Sequence, residues 1–195
     1  MTEDIYHHIY NRGAHKEPIF REGSDYMRML KLFYIANNKE SFTISSFGLT
    51  NIFEAKRKCL LVDIVAYCLM PNHIHLALKE LEPFGISRFI HSLATGYSGY
   101  FNRKYGHSGT IWQGPYNEKP VCDEMYIRKL INYIHLNPYG IKEPEMSKEA
   151  RAEHLDEAVA YSETYEFSSF RDYLGIERVQ KAILSVTEVG KFLEA

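Results

Sequence analysis

The chain is poor in the residues that several protein classes require. It has three cysteines in 195 residues, Cys59, Cys68 and Cys122, and none of them form a Cys-X-X-Cys spacing. That argues against a disulfide framework or a zinc ribbon and fits a reducing compartment. No apolar run reaches the roughly 18 residues of a membrane helix, so no membrane partner is expected. The opening residues, Met1-Thr2-Glu3-Asp4, are acidic and lead straight into a strand-like segment, which is not the pattern of a signal peptide. A cytoplasmic location is therefore expected. Charge of one sign is also lacking: 23 Lys and Arg stand against 25 Asp and Glu, for a net charge of −2. A chain so balanced is not built to coat long duplex DNA. Internal repeats and low-complexity segments are missing as well.

What charge there is, is unevenly placed. Residues 1–142 hold 17 Lys and Arg against 13 Asp and Glu, while residues 143–195 hold 6 against 12. Eight of the nine histidines lie in the first part. A mildly basic body followed by an acidic tail suits nucleic-acid contact through a local groove. The expected organisation is one functional domain over 1–142, with an acidic linker and C-terminal helices over 143–195 packed on it.

Residues Ile5–Gly13 read as a first strand whose alternation is blurred by two polar residues, His7 and His8. Phe20–Asn38 reads as a helix with Ser24 as its N-cap. Residues 39–59 are ambiguous: Ser41–Thr50 as strand and turn, Asn51–Cys59 as a short helix, with Lys56-Arg57-Lys58 a solvated basic face. Leu60–Met70 and His73–Lys79 form paired central strands joined at Pro71-Asn72. Ile86–Tyr105 reads as a long helix with Arg103 and Lys104 at its C-terminal end, where positive charge suits the helix dipole. Gly109–Pro120 is a loop and short strand carrying the only tryptophan, Trp112. Asp123–Leu136 is a third helix, started by Cys122 or Asp123 and ended by Asn137-Pro138. Residues from Gly140 to about Glu163 read as a linker or solvated helix. Small helices over Ile176–Val186 and Val189–Leu193 follow a short packed element near Ser168. The order strand, helix, two strands, helix, strand, helix predicts an α+β sandwich with an antiparallel sheet backed by helices.

Two groups of residues carry chemistry. His73 and His75 are two apart, which on a strand puts both imidazoles on one face and Ile74, Leu76 and Leu78 on the other. His-X-His suits a strand-borne metal site, and equally two surface histidines on an edge strand. On the third helix Ile127, Leu130, Ile131 and Ile134 form a core stripe, while Tyr126, Tyr133 and Asn137 flank it. Tyr133 and Asn137 are i and i+4, hence surface neighbours. A phenolic nucleophile beside a hard amide oxygen suits magnesium or manganese chemistry. A half-buried aromatic flank with Asn137 as a helix C-cap is the alternative.

These residues stand among further matching blocks: Tyr10-Asn11-Arg12-Gly13 with Ile19-Phe20, Ala66 through Leu76, Tyr100-Phe101-Asn102, Gly109 through Gly114, Tyr133 through Pro138, and Ser168 through Leu174. In order and spacing the set resembles the single-tyrosine HUH transposases, and within them the REP-associated tyrosine transposases. The resemblance implies a ferredoxin-like (RRM-like) α+β fold. It implies a bacterial, nucleoid-associated enzyme that nicks and rejoins single-stranded or hairpin DNA through a 5′-phosphotyrosine. His73, His75 and Asn137 match the ligands of a divalent metal, Mg2+ or Mn2+, and Tyr133 matches the nucleophile. Arg12, Arg103, Lys104, Trp112, Gln113, Lys119 and Lys129 are the expected DNA contacts. One departure stands out. After Gln113-Gly114 the family usually has an arginine, and here it is Pro115; Lys119 or Arg12 would replace that phosphate contact. Monomer and homodimer are both compatible with the pattern. Two rival functions remain open: a domesticated protein that binds hairpins without cutting, and a metal-dependent phosphohydrolase of small nucleotides.

Overall fold

The computed structural model describes residues 4–40, 52–147, 150 and 153–193. Four strands, β1 (Tyr6–Arg12), β2 (Val62–Met70), β3 (His73–Glu80) and β4 (Asn117–Val121), form one antiparallel sheet in the order β2-β3-β1-β4. Helix α1 (Gly23–Ile35) connects β1 to β2, and α2 (Gly85–Tyr105) connects β3 to β4. This is the split βαβ, ferredoxin-like arrangement expected of the pattern. Helix α3 (Glu124–Leu136) follows β4, and a short α4 (Tyr139–Lys142) follows it. Helices α5 (Leu155–Thr164), α6 (Phe170–Tyr173) and α7 (Val186–Leu193) complete the chain.

The sheet is buried on both faces. Ile9, Ile64, Tyr67, Leu69, Ile74, Leu76 and Leu78 pack with α1 and α2. Tyr6, Val65, Ala66, Cys68, Met70 and Ala77 pack with the apolar stripe of α3. That double burial is why β2 reads as an almost unbroken apolar run rather than an alternating one. A β-bulge sets its phase: Ile64 pairs with Leu78 and Ala66 with Ala77, so Val65 and Ala66 both point to the α3 face. Pro71-Asn72 joins β2 to β3, with Met70 opposite His73. Pro120 sits on the edge strand β4, the one place in a sheet where a missing N–H is tolerated.

Helix starts differ from expectation at α1. Ser24 lies inside the helix, and Glu22 is the N-cap in a reciprocal capping box with Asp25. The reason is Asp25, whose carboxylate also accepts the backbone N–H groups of Arg21 and Glu22 at 2.8 and 3.2 Å. At α3 the cap is Asp123, which accepts from the Tyr126 amide. The strand and turn expected over Ser41–Thr50 lie outside the described residues; of the expected Asn51–Cys59 helix, Ile52–Glu54 is one 3-10 turn. Arg57 is not part of a solvated face: its guanidinium lies 3.8 Å over the Tyr34 ring and donates to the Ala182 carbonyl.

The acidic C-terminal part lines the outer edge of β2. Leu69 N–H donates to the Phe167 carbonyl, Ser169 N–H to the Tyr67 carbonyl, and Tyr67 N–H to Ser169 Oγ. Asp172 and Arg178 pair beneath this segment. His135 of α3 meets Ser169 Oγ at 2.8 Å. Burial, with Arg178 nearby, pushes the His135 pKa down to about 3, so it is held neutral.

Candidate active site

The sheet face under α3 carries the functional side chains. Alternation along β3 turns His73 and His75 to this face and commits Ile74, Leu76 and Leu78 to the core behind. Pairing then adds β1: Tyr10 lies opposite His75, Arg12 opposite His73, and His8 opposite Ala77. The face is not open, as expected for a bare sheet, but roofed in part by α3. His75 is buried, and its ring meets that of Tyr133 edge-on with centroids 5.5 Å apart. His73 and His75 stand perpendicular, 4.9 Å between centroids.

A cavity of about 650 Å³ opens where the strands end. Its walls include His73, His75, Tyr133 and Asn137 together with Tyr10, Arg12, Gln113 and Pro115. The two groups of residues singled out by opposite periodicities, period 2 on β3 and period 3.6 on α3, thus line one space. Asn137 donates Nδ2 to the Tyr133 carbonyl at 3.2 Å, which also makes it the C-cap of α3. This bond uses the amide nitrogen and turns the oxygen to another side of the group. His73 Nδ1 lies 2.7 Å from Asn72 Oδ1. Among the described residues no three His, Cys, Asp or Glu side chains gather to hold a metal; the cavity wall adds side-chain amides, that of Asn137 among them.

The remaining candidates divide by place. Arg12 and Gln113 line the cavity. Lys119 is exposed on β4, its ammonium 6.0 Å over the Tyr10 ring. Lys129 is exposed on α3, over Tyr126, and does not line the cavity. Arg103 and Lys104 are on α2, the helix that packs on the other face of the sheet. The expected role of Lys104 is revised: its ammonium pairs with Glu22 and with buried Asp25, both at 2.6 Å. That charge is spent holding α1 to α2. Trp112 is likewise revised. It is 7% exposed and packs with Tyr97 in the core, so its ring is withdrawn from any surface on which a base would stack. Tyr126, the rival tyrosine, is 63% exposed and lies outside the cavity.

Sequence reading missed His8 and Tyr10. Both were visible as members of the alternating set Tyr6, His8, Tyr10, Arg12, but only the register with β3 shows that this set faces the histidine pair.

The arrangement is an α+β, ferredoxin-like sheet whose central strand presents paired histidines to a tyrosine-bearing helix. The chain belongs to the IS200-like transposase family, whose model matches residues 3–137. Among solved structures it is similar to a REP-associated tyrosine transposase bound to a REP hairpin. The two share 14% identity with a TM-score of 0.52, over 92% of this chain and 86% of that one. A transposase of Deinococcus radiodurans is 16% identical with a TM-score of 0.31, over 69% of this chain and 90% of that one. No curated protein matches the chain. The resemblance to single-tyrosine transposases and the α+β fold it implied are thereby borne out.

Proposed function

We propose that this chain is a tyrosine-dependent nickase and strand transferase acting on single-stranded DNA next to a hairpin, in the manner of the REP-associated transposases. One observation carries the reading: Tyr133 meets His75, rings 5.5 Å apart, on the wall of a cavity that His73 and Asn137 share. A phenol suits strand transfer because its phosphoester conserves the energy of the broken bond, so the step reverses on a second strand end.

The donor set fits a divalent cation. Asn72 Oδ1 only accepts, so His73 donates from Nδ1 and carries its lone pair on Nε2. Asn137 has its nitrogen engaged by the Tyr133 carbonyl and keeps its oxygen. Two imidazole nitrogens and one amide oxygen suit magnesium or manganese and leave positions for phosphate oxygens. His73, His75 and Asn137 would hold the ion, which when bound polarises the scissile phosphate and offsets its charge. Tyr133 Oη then bonds to phosphorus as the bond to the 3′ oxygen breaks. The phenolic proton passes to solvent and the leaving oxygen takes one up, giving a 5′-phosphotyrosine and a free 3′-OH. Arg12, with a fork of donors at the cavity wall, supplies the phosphate contact that Pro115 lacks.

The test is a 3′-labelled hairpin oligonucleotide with a single-stranded flank, incubated with the protein and manganese and run on a denaturing gel. A protein–DNA adduct is expected. Binding without cleavage would make the chain a hairpin binder, and hydrolysis of nucleotides without an adduct would make it a phosphohydrolase.

A further inference from the structure

His8 lies on the same sheet face as His75, opposite Ala77 and set back from the cavity. It does not line the cavity, whereas its neighbours Tyr10, His75 and Tyr133 do. Its ring lies edge to edge with that of His75, 5.2 Å between centroids and 21° apart in plane. Its Nε2 lies 3.0 Å from His75 Nδ1. The Tyr133 ring stands edge-on to it at 5.9 Å and the Tyr10 ring lies 5.0 Å away. Antiparallel pairing of β1 with β3, and of β1 with β4 on its other side, fixes where this ring sits.

One proton lies between His8 and His75, and its position decides what His75 can do. If His8 donates, the neutral His75 carries its proton on Nε2 and has no lone pair there for a metal. If His75 donates from Nδ1, its Nε2 carries the lone pair that a metal needs. We infer that His8 is a positioning residue: it accepts the Nδ1 proton of His75, and so sets the tautomer and ring angle in which His75 binds a cation. This inference rests on the metal-site reading above. It gives His75 the support that His73 has from Asn72, so each histidine has a fixed acceptor at Nδ1. Acceptors of this kind are worth about 10–100-fold in metal affinity.

Manganese binding to the full-length, metal-free protein, measured by calorimetry without DNA, tests the idea. His8→Phe keeps an aromatic ring and removes the acceptor; His8→Gln keeps an acceptor oxygen and removes the ring. The dissociation constant is expected to rise about 10–100-fold in His8→Phe and to stay near wild type in His8→Gln. Wild-type affinity in His8→Phe, or equal losses in both variants, overturns the inference. His75→Ala is the control. If it binds manganese as tightly as wild type, the metal site is wrong and this inference falls with it. If it loses binding while His8→Phe keeps it, only the positioning role falls. The 15N shifts of the His75 ring in the wild-type protein need no variant: a protonated Nδ1 supports the inference and a protonated Nε2 overturns it.

Discussion

Tyr133 is half-buried, packs against the apolar cluster under α3 and sets its ring edge against the histidines, contacts that a phenylalanine ring would keep. Tyr133→Phe should therefore change stability by about 1 kcal/mol or less. It should lower nicking by roughly a thousandfold or more and abolish the adduct, while hairpin binding by gel shift stays intact. An adduct that survives in Tyr133→Phe would remove it as nucleophile. The two histidines should separate by burial. His73→Ala and His75→Ala should both lose manganese binding in calorimetry. Only His75→Ala should also lower the metal-free melting midpoint, by about 1–2 kcal/mol of stability, because its ring is packed and buried. These residues were legible in sequence because each lies on a periodic element. His8 was not, since what it faces depends on a strand pairing 67 residues away in sequence. Lys104 misled for the same reason: its partners are about 80 residues distant.

Among elements, β3 and α3 were readable almost to the residue, because core and surface positions alternate cleanly along them. Strand β2 was readable as apolar, but not as bulged: nothing in Val65-Ala66 distinguishes two residues sharing one position. The start of α1 was misread because Ser24 is a good cap by residue type, while the reciprocal pair of Glu22 and Asp25 closes the helix end two residues earlier. Asp25 makes a prediction about pH. Burial pushes its pKa up, but bonds from Lys104, Tyr105, the Arg21 amide and Tyr100 outweigh that and hold it at about 2, below its ordinary 3.8. A depressed carboxylate stabilises the fold above its unfolded pKa and loses that contribution as pH falls through the folded one. Stability should therefore decline between about pH 4 and pH 2. Asp25→Asn should cost about 2–3 kcal/mol at pH 7 in urea unfolding and flatten that acid limb. An unchanged acid limb in the variant would show that other groups govern it.

At the scale of the molecule, the net charge of −2 limits how DNA is held. Arg12 and Lys119 near the cavity, with one or two further cations, amount to few phosphate contacts. Each neutralised phosphate on a single strand contributes about −0.7 to the slope of log affinity against log salt, so a slope of about −2 is expected. Hairpin DNA with a single-stranded flank should bind more tightly than random duplex of equal length. Fluorescence anisotropy at several salt concentrations checks both, and equal affinity for duplex contradicts the hairpin reading.

The outer edge of β2 has a history during synthesis. Its partners, Phe167 and Ser169, are made about a hundred residues after it. Until they leave the ribosome, an apolar strand with unpaired amides stands at the margin of an otherwise formed sheet, which is the template on which chains aggregate. The loop to be closed is long, so this pairing should be among the last steps of folding. A chain stopped at residue 160 would keep every residue of the cavity and still lack its seal. It should accumulate in inclusion bodies where the full chain stays dispersed.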